Sequence, residues 1–127
     1  AKLDAPVQAV FEEVNRPMPG LSLARIIDGI KTFRKRHKNK LALQMMFIEK
    51  NRAYAKALAR IAKEIGPDEV QINTPLRPCG VKPLSEQALG ECESFFGGLR
   101  TVSVYAAPKP ETRSISDKDT LRRRGKV

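Results

Sequence analysis

Residues 40–48 read Lys-Leu-Ala-Leu-Gln-Met-Met-Phe-Ile, a nearly continuous apolar segment of strand length. In an α/β protein such a run predicts a central strand that is buried on both faces, because helices cover both sides of a parallel sheet. Gln44 interrupts the segment, which is also too short to cross a bilayer. It therefore predicts a sheet core and gives no indication of a membrane protein.

Helical and strand patterns alternate on both sides of this segment. Apolar residues at helical spacing predict helices over 7–15, from Ser22, over 51–65 and from Ser85, and strand patterns precede Asp4 and cover 69–73 and 101–105. The second helix has an apolar face formed by Leu23, Ile26, Ile27, Ile30 and Phe33. This order predicts a parallel sheet with right-handed crossovers, either part of a barrel or a doubly wound sheet.

The length of 127 residues and the 41% hydrophobic content suit one globular domain. We expect this domain to cover residues 1–105. Residues 106–127 form a Pro-rich and charged tail, in which Ser116 and Asp119 have the spacing of a capping box ahead of a short helix.

Positive charge is concentrated in two stretches of the chain. Lys and Arg number 24 against 14 Asp and Glu, a net charge of +10. Residues 31–40 are rich in basic side chains and contain no acidic one, and the C-terminal tail is basic at 122–126. Clustered cations favour an anionic partner such as RNA, although a basic run on a solvated surface gives the same pattern.

The two cysteines, Cys79 and Cys92, are too few for a disulfide scaffold or a closed zinc site. Free thiols suit a reducing compartment, and no signal-peptide pattern opens the chain, so we expect a cytoplasmic protein. The chain does not begin with Met, and its first residues resemble the end of a strand. We therefore expect a fragment of a longer protein.

Polar side chains lie in or directly after the predicted strands. They are Lys2 and Asp4, Gln44, and Asn73 and Arg77. Ligands of parallel α/β proteins bind at the carboxyl ends of the strands, so these five residues are the candidate binding site. Two alternatives stay open, because Asp4 also suits a helix N-cap and Gln44 also suits a core amide with internal partners.

Three separated motifs resemble a known family. Lys-Leu-Asp-Ala-Pro at 2–6, Val-Asn-Arg-Pro at 14–17 and Gln-Ile-Asn-Thr-Pro-Leu-Arg-Pro at 71–78 resemble the second half of a radical S-adenosylmethionine (SAM) family of iron-sulfur oxidoreductases. The first two motifs are also similar to those of the wyosine-forming tRNA enzymes. The resemblance covers most of the chain, including residues 120–125. It implies half of a (βα)6 partial TIM-type barrel, with parallel strands alternating with helices.

The resemblance also implies a function for the full-length protein. The parent enzyme would reductively cleave SAM at a [4Fe-4S] cluster and generate a 5′-deoxyadenosyl radical. The chain lacks the three-cysteine loop of that family, so we expect it alone to be inactive, to bind no cluster and to contribute no catalytic or metal-ligating residue.

The same resemblance assigns roles to the five candidate residues. Lys2 and Asp4 would contact the ribose or carboxylate of SAM, Gln44 and Asn73 would complete the pocket, and Arg77 at its rim would meet a substrate or phosphate. The expected partners are the missing N-terminal half of the barrel, a second copy paired through an exposed sheet edge, and RNA bound by residues 31–40 and 122–126.

Two functions of other classes remain open at this point. The chain is alternatively an RNA-binding or anion-binding βα module without catalytic activity, or a structural fragment that retains no activity. Binding of RNA through phosphates would weaken steeply with added salt, whereas binding of SAM would be much less sensitive to salt.

Overall fold

A computed structural model of the chain describes residues 1–77 and 79–108. Helices and parallel strands alternate along it, which confirms the α/β prediction. The elements are α1 (Gln8–Asn15), α2 (Leu23–Arg36), β1 (Ala42–Met46), a 3-10 turn (Arg52–Tyr54), α3 (Ala55–Ile65), β2 (Glu69–Asn73), α4 (Glu86–Ser94) and β3 (Thr101–Ser103).

The sheet has the order β1-β2-β3, and both pairs of strands are parallel. Gln44 is level with Gln71 on β2, which is level with Val102 on β3. On the other side of β1, Lys2 forms a parallel bridge with Gln44. The first residues of the chain thus extend the sheet as a short edge segment, and all the carboxyl ends lie along one edge.

One face of the sheet is covered by helices. Leu43, Met45, Val70 and Ile72 are completely buried there. They belong to one core with residues from all four helices, including Val10, Leu23, Leu58 and Leu89.

The other face, which we call the open face, consists of Ala42, Gln44 and Met46 on β1 and Glu69, Gln71 and Asn73 on β2, all of them partly exposed. The prediction that β1 is buried on both faces is therefore wrong for the part of the chain that the structure describes. The apolar run contains residues of both faces, and its length alone does not distinguish one covered face from two.

The helix ends follow the sequence closely. The hydroxyl of Ser22 accepts from the backbone N–H of Arg25 at 3.4 Å, and that of Ser85 accepts from the N–H of Ala88 at 3.2 Å. Both serines are N-caps, which confirms the predicted helix starts. Helix α3 ends at Gly66 in the left-handed region, with φ of 66°. Arg16 ends α1 ahead of Pro17, but in the left-handed region (φ 46°) instead of the extended one.

Two predicted boundaries change. The helix expected from residue 51 begins as a 3-10 turn and becomes α-helical at Ala55. The last strand stops at Ser103, whose carbonyl accepts from the N–H groups of Ala106 and Ala107 in a turn. The domain boundary expected at residue 105 falls in this turn, and the short helix expected near Ser116 lies outside the described residues. Over the described ranges, the helices lack the length and apolar composition that a membrane crossing requires.

Candidate functional site

An open cleft lies at the carboxyl ends of β1 and β2 and has a volume of about 540 Å³. It brings together three of the five predicted site residues, Gln44, Asn73 and Arg77. The remaining lining residues are Met46, Thr74, Pro75, Leu76, Cys79 and Val104. The wall of the cleft thus combines two amides and one cation with apolar side chains.

The two amides come from neighbouring strands. Gln44 and Asn73 both belong to the open face, and both are partly exposed. Within the described ranges neither side-chain amide bonds to another protein group, so its donors and acceptors are available to a ligand. The alternative that Gln44 is a core amide with internal partners does not fit this position. The backbone carbonyl of Asn73 accepts from the N–H of Phe47 at 2.7 Å and fixes the end of β2 against β1.

The loop that carries Arg77 is anchored at its base. The buried hydroxyl of Thr74 accepts from the N–H of Leu84 at 2.9 Å, which closes the loop between them. The phenol of Tyr105 donates to the carbonyl of Leu84 at 2.7 Å. Arg77 and Cys79 are exposed at the rim of the cleft. A guanidinium on an anchored loop is placed to meet an anionic group of a ligand.

Lys2 and Asp4 lie outside this cleft, in a separate polar cluster. The carboxylate of Asp4 is buried, with its side chain only 3% exposed, and it forms an ion pair with Lys2 at 2.8 Å. It accepts from the backbone N–H of Met46 and from the amide of Asn15, both at 2.8 Å. The carboxylate therefore joins the first segment, α1 and β1. The alternative that Asp4 caps α1 does not hold either, since Val7 occupies the N-cap position.

Asn51 is an internal polar residue that the sequence pattern did not single out. It is completely buried. Its amide nitrogen donates to the carbonyls of Asp4 at 2.8 Å and Met46 at 2.9 Å, and its amide oxygen accepts from the N–H of Ile48 at 2.8 Å. An asparagine shortly after a strand was the only signal in the sequence, and it does not distinguish a buried amide from a surface one.

No family model matches the chain, and no solved structure matches it significantly. Two curated relatives do match. A UPF0026 protein of Methanocaldococcus jannaschii is 30% identical over 104 residues, which are 77% of this chain and 32% of that protein. A UPF0026 protein of Synechocystis is 32% identical over 90 residues, which are 70% of this chain and 33% of that protein. The chain spans about a third of the length of these relatives.

These matches correct the assignment to the radical SAM family that the sequence motifs suggested, because the proteins matched carry the name UPF0026. The correction extends to the iron-sulfur, metal-binding character that the resemblance implied for the parent protein. Over residues 1–77 and 79–108, no group of three or more His, Cys, Asp or Glu side chains is placed to hold a metal ion. What the comparisons establish is similarity to UPF0026 proteins over about a third of their length.

Proposed function

We propose that this chain is part of a βα barrel and binds a nucleoside with an anionic group at the carboxyl edge of its sheet. The order of the strands supports the barrel. Lys2, β1, β2 and β3 lie side by side in chain order, without the reversal of order that a doubly wound sheet has at its switch point. Consecutive strands of a partial (βα)6 barrel have this sequential order.

The open face supports the same proposal. Parallel sheets are almost always covered on both faces, whereas the helices described here cover one. In a barrel the open face would be the interior, and further strands would continue the sheet beyond Lys2. A barrel completed by further strands is consistent with relatives that are more than twice as long as this chain.

The observation that carries the ligand class is the set of side chains around the cleft. The amides of Gln44 and Asn73 offer the paired donor and acceptor that match an adenine edge. Met46 and Val104 supply apolar surface for a planar base, and a thioether contacts aromatic rings favourably. Arg77 suits a phosphate or carboxylate at the rim. The volume of about 540 Å³ suits a ligand of this size.

Titration of the chain with adenosine and with AMP, followed by amide chemical shifts, tests the proposal. We expect weak binding, roughly millimolar, with the largest shifts at Gln44, Asn73 and Arg77. The substitution Asn73→Ala should weaken both ligands. Arg77→Gln should weaken AMP about tenfold, which corresponds to about 1.4 kcal/mol, and leave adenosine unchanged.

Arg60→Gln is the matched control, because Arg60 is an exposed arginine on α3 and is not among the residues that line the cleft. Equal losses for adenosine and AMP in Arg77→Gln, or the same loss of AMP in Arg60→Gln, would contradict the assignment of Arg77. SAM joins an adenosine group to a carboxylate and serves as a third ligand. The use of SAM by the parent protein stays a prediction. Titration with SAM tests only whether the cleft of this chain binds it.

A further inference from the structure

A second surface lies at the opposite edge of the sheet, where the strands begin. Helix α2 ends there, β1 starts there, and α3 ends there because it connects two parallel strands. We define the amino-edge surface by five cations on these segments, Lys35, Arg36, Lys38, Lys40 and Lys63. It is separated from the cleft by the length of the strands.

The acidic residues of this region are already paired with other cations. Glu64 accepts from Lys31 at 2.7 Å, and Asp68 pairs with Arg34 at 2.9 Å. Glu69 lies 3.6 Å from the guanidinium of Arg100.

The carboxyl groups of Asp68 and Glu64 are held in the charged form. The backbone N–H of Leu41, aided by Arg34, lowers the pKa of Asp68, and the hydrogen bond from Lys31 lowers the pKa of Glu64. The negative charges of these acids are therefore balanced by Lys31 and Arg34. Within the described part of the chain, the five cations of the amino-edge surface form no ion pair.

A pair of stacked aromatic rings lies among the cations of the amino-edge surface. The ring of Phe33 stacks on the ring of His37, with centroids 4.6 Å apart and planes inclined by 21°. Phe33 was expected on the apolar face of α2, but it is 50% exposed and does not belong to the core. An apolar ring left in solvent among cations offers a flat surface on which a base can stack.

Two simpler explanations account for only part of these features. Cations in the last turn of α2 stabilise the negative end of the helix dipole, but Lys38 and Lys40 lie beyond the helix. A solvated basic surface explains charge alone, and it does not explain an exposed Phe33.

We propose that the amino-edge surface binds single-stranded nucleic acid, with phosphates on the cations and a base on the ring of Phe33. Groups of this kind recognise a flexible strand because its phosphates follow the positive charge and its unpaired bases stack on aromatic rings. The proposal concerns the edge opposite the cleft and does not rest on the nucleoside-binding function. The basic residues 122–126 lie outside the described residues and are not needed for it.

Fluorescence anisotropy of the full chain with labelled single-stranded RNA and DNA of the same sequence, each measured over a series of salt concentrations, provides the test. The double substitution Lys35→Gln with Lys38→Gln should lower affinity and reduce the slope of log affinity against log salt by about 1.4, because each phosphate contact on a single strand contributes about 0.7. Phe33→Leu should lower affinity at least about fivefold through lost stacking, with the slope unchanged.

Lys56→Gln with Arg60→Gln is the matched control, since it removes two cations from the exposed side of α3 and should leave the slope unchanged. Circular dichroism verifies that each variant is folded. The proposal fails if the variant with Lys35→Gln and Lys38→Gln keeps the original slope, or if the control reduces the slope equally. It also fails if Phe33→Leu binds normally while heparin or phosphatidylserine vesicles compete as well as RNA, because the surface is then a general anion site.

Discussion

At the scale of single residues, two buried polar side chains fix the carboxyl end of β1. Asp4 accepts from donors on three segments, and Asn51 satisfies three backbone groups next to it. Buried polar groups are tolerated when all their partners are present, and each lost partner leaves a costly unpaired group. These residues therefore support the floor of the cleft without lining it.

Asn51→Ala should lower the free energy of unfolding by about 3 kcal/mol, because it leaves three buried backbone groups without a partner at about 1 kcal/mol or more each. Urea denaturation measures the change. Asn39→Ala, at an exposed position before β1, is the control and should change stability by less than about 0.5 kcal/mol. A loss for Asn51→Ala as small as that of the control would show that the buried amide is not needed.

Asp4→Asn separates a structural role from the ligand role that the sequence suggested. The amide keeps the size of the carboxylate but loses the ion pair with Lys2 and turns one acceptor into a donor. We expect a loss of about 2 kcal/mol in unfolding free energy and unchanged affinity for AMP. Weakened AMP binding by a variant that chemical shifts show to be folded would return Asp4 to the binding site.

At the scale of elements, local signals in the sequence predicted most of the fold. The helix starts at Ser22 and Ser85, the end of α3 and the bounds of β2 all follow from short-range patterns. The uncovered face of β1 and the exposure of Phe33 could not be predicted in this way, because both depend on which segments pack together. The apolar pattern is the same whether a surface is covered or exposed. Gln44, Asn73 and Arg77 meet in one cleft because parallel strands end at one edge, whereas the engagement of Asp4 required knowledge of its distant partners.

Two glycine-to-alanine substitutions should have opposite effects. Gly29 is exposed within α2 with open space around it, so Gly29→Ala should raise the unfolding free energy by about 0.5–1 kcal/mol through helix propensity. Gly66 has φ of 66°, where a Cβ is strained, so Gly66→Ala should lower it by about 1 kcal/mol. Thermal unfolding of both variants measures this, and a shift in the same direction for both would contradict the role of Gly66 as the helix end.

At the scale of the whole molecule, the sheet has an unprotected edge and an open face. The carbonyl of Ala1 and the N–H of Leu3 bond to Gln44, so the backbone groups of Lys2 point away from the sheet. An edge of this kind pairs readily with another chain. The net charge of +10 opposes association at low ionic strength, where repulsion between copies is least screened.

We expect the chain to associate through this edge as its concentration rises, and light scattering at moderate salt measures the assembly. Lys2→Pro removes the outward N–H and should shift the chain toward monomer, whereas Lys2→Ala removes the same side chain, including its ion pair, and should not. A monomer at all concentrations, or equal behaviour of the two variants, would contradict pairing through this edge.

The two thiols differ in environment, and this difference allows the reaction of one thiol to report the opening of a helix. Cys79 is exposed, whereas Cys92 lies on the buried side of α4, where burial raises the pKa of its thiol above the ordinary value of 9.0. Since only an accessible thiolate reacts with an alkylating reagent, Cys79 should react at once and Cys92 only when α4 opens. The raised pKa also fixes the direction in which stability changes with pH, because the thiol of the unfolded chain ionises at a lower pH than that of the folded chain. The unfolding free energy should therefore fall as the pH rises above about 9, and α4 should open more often there. The alkylation rate of Cys92 in a Cys79→Ser background would then time the opening of one helix without any added probe.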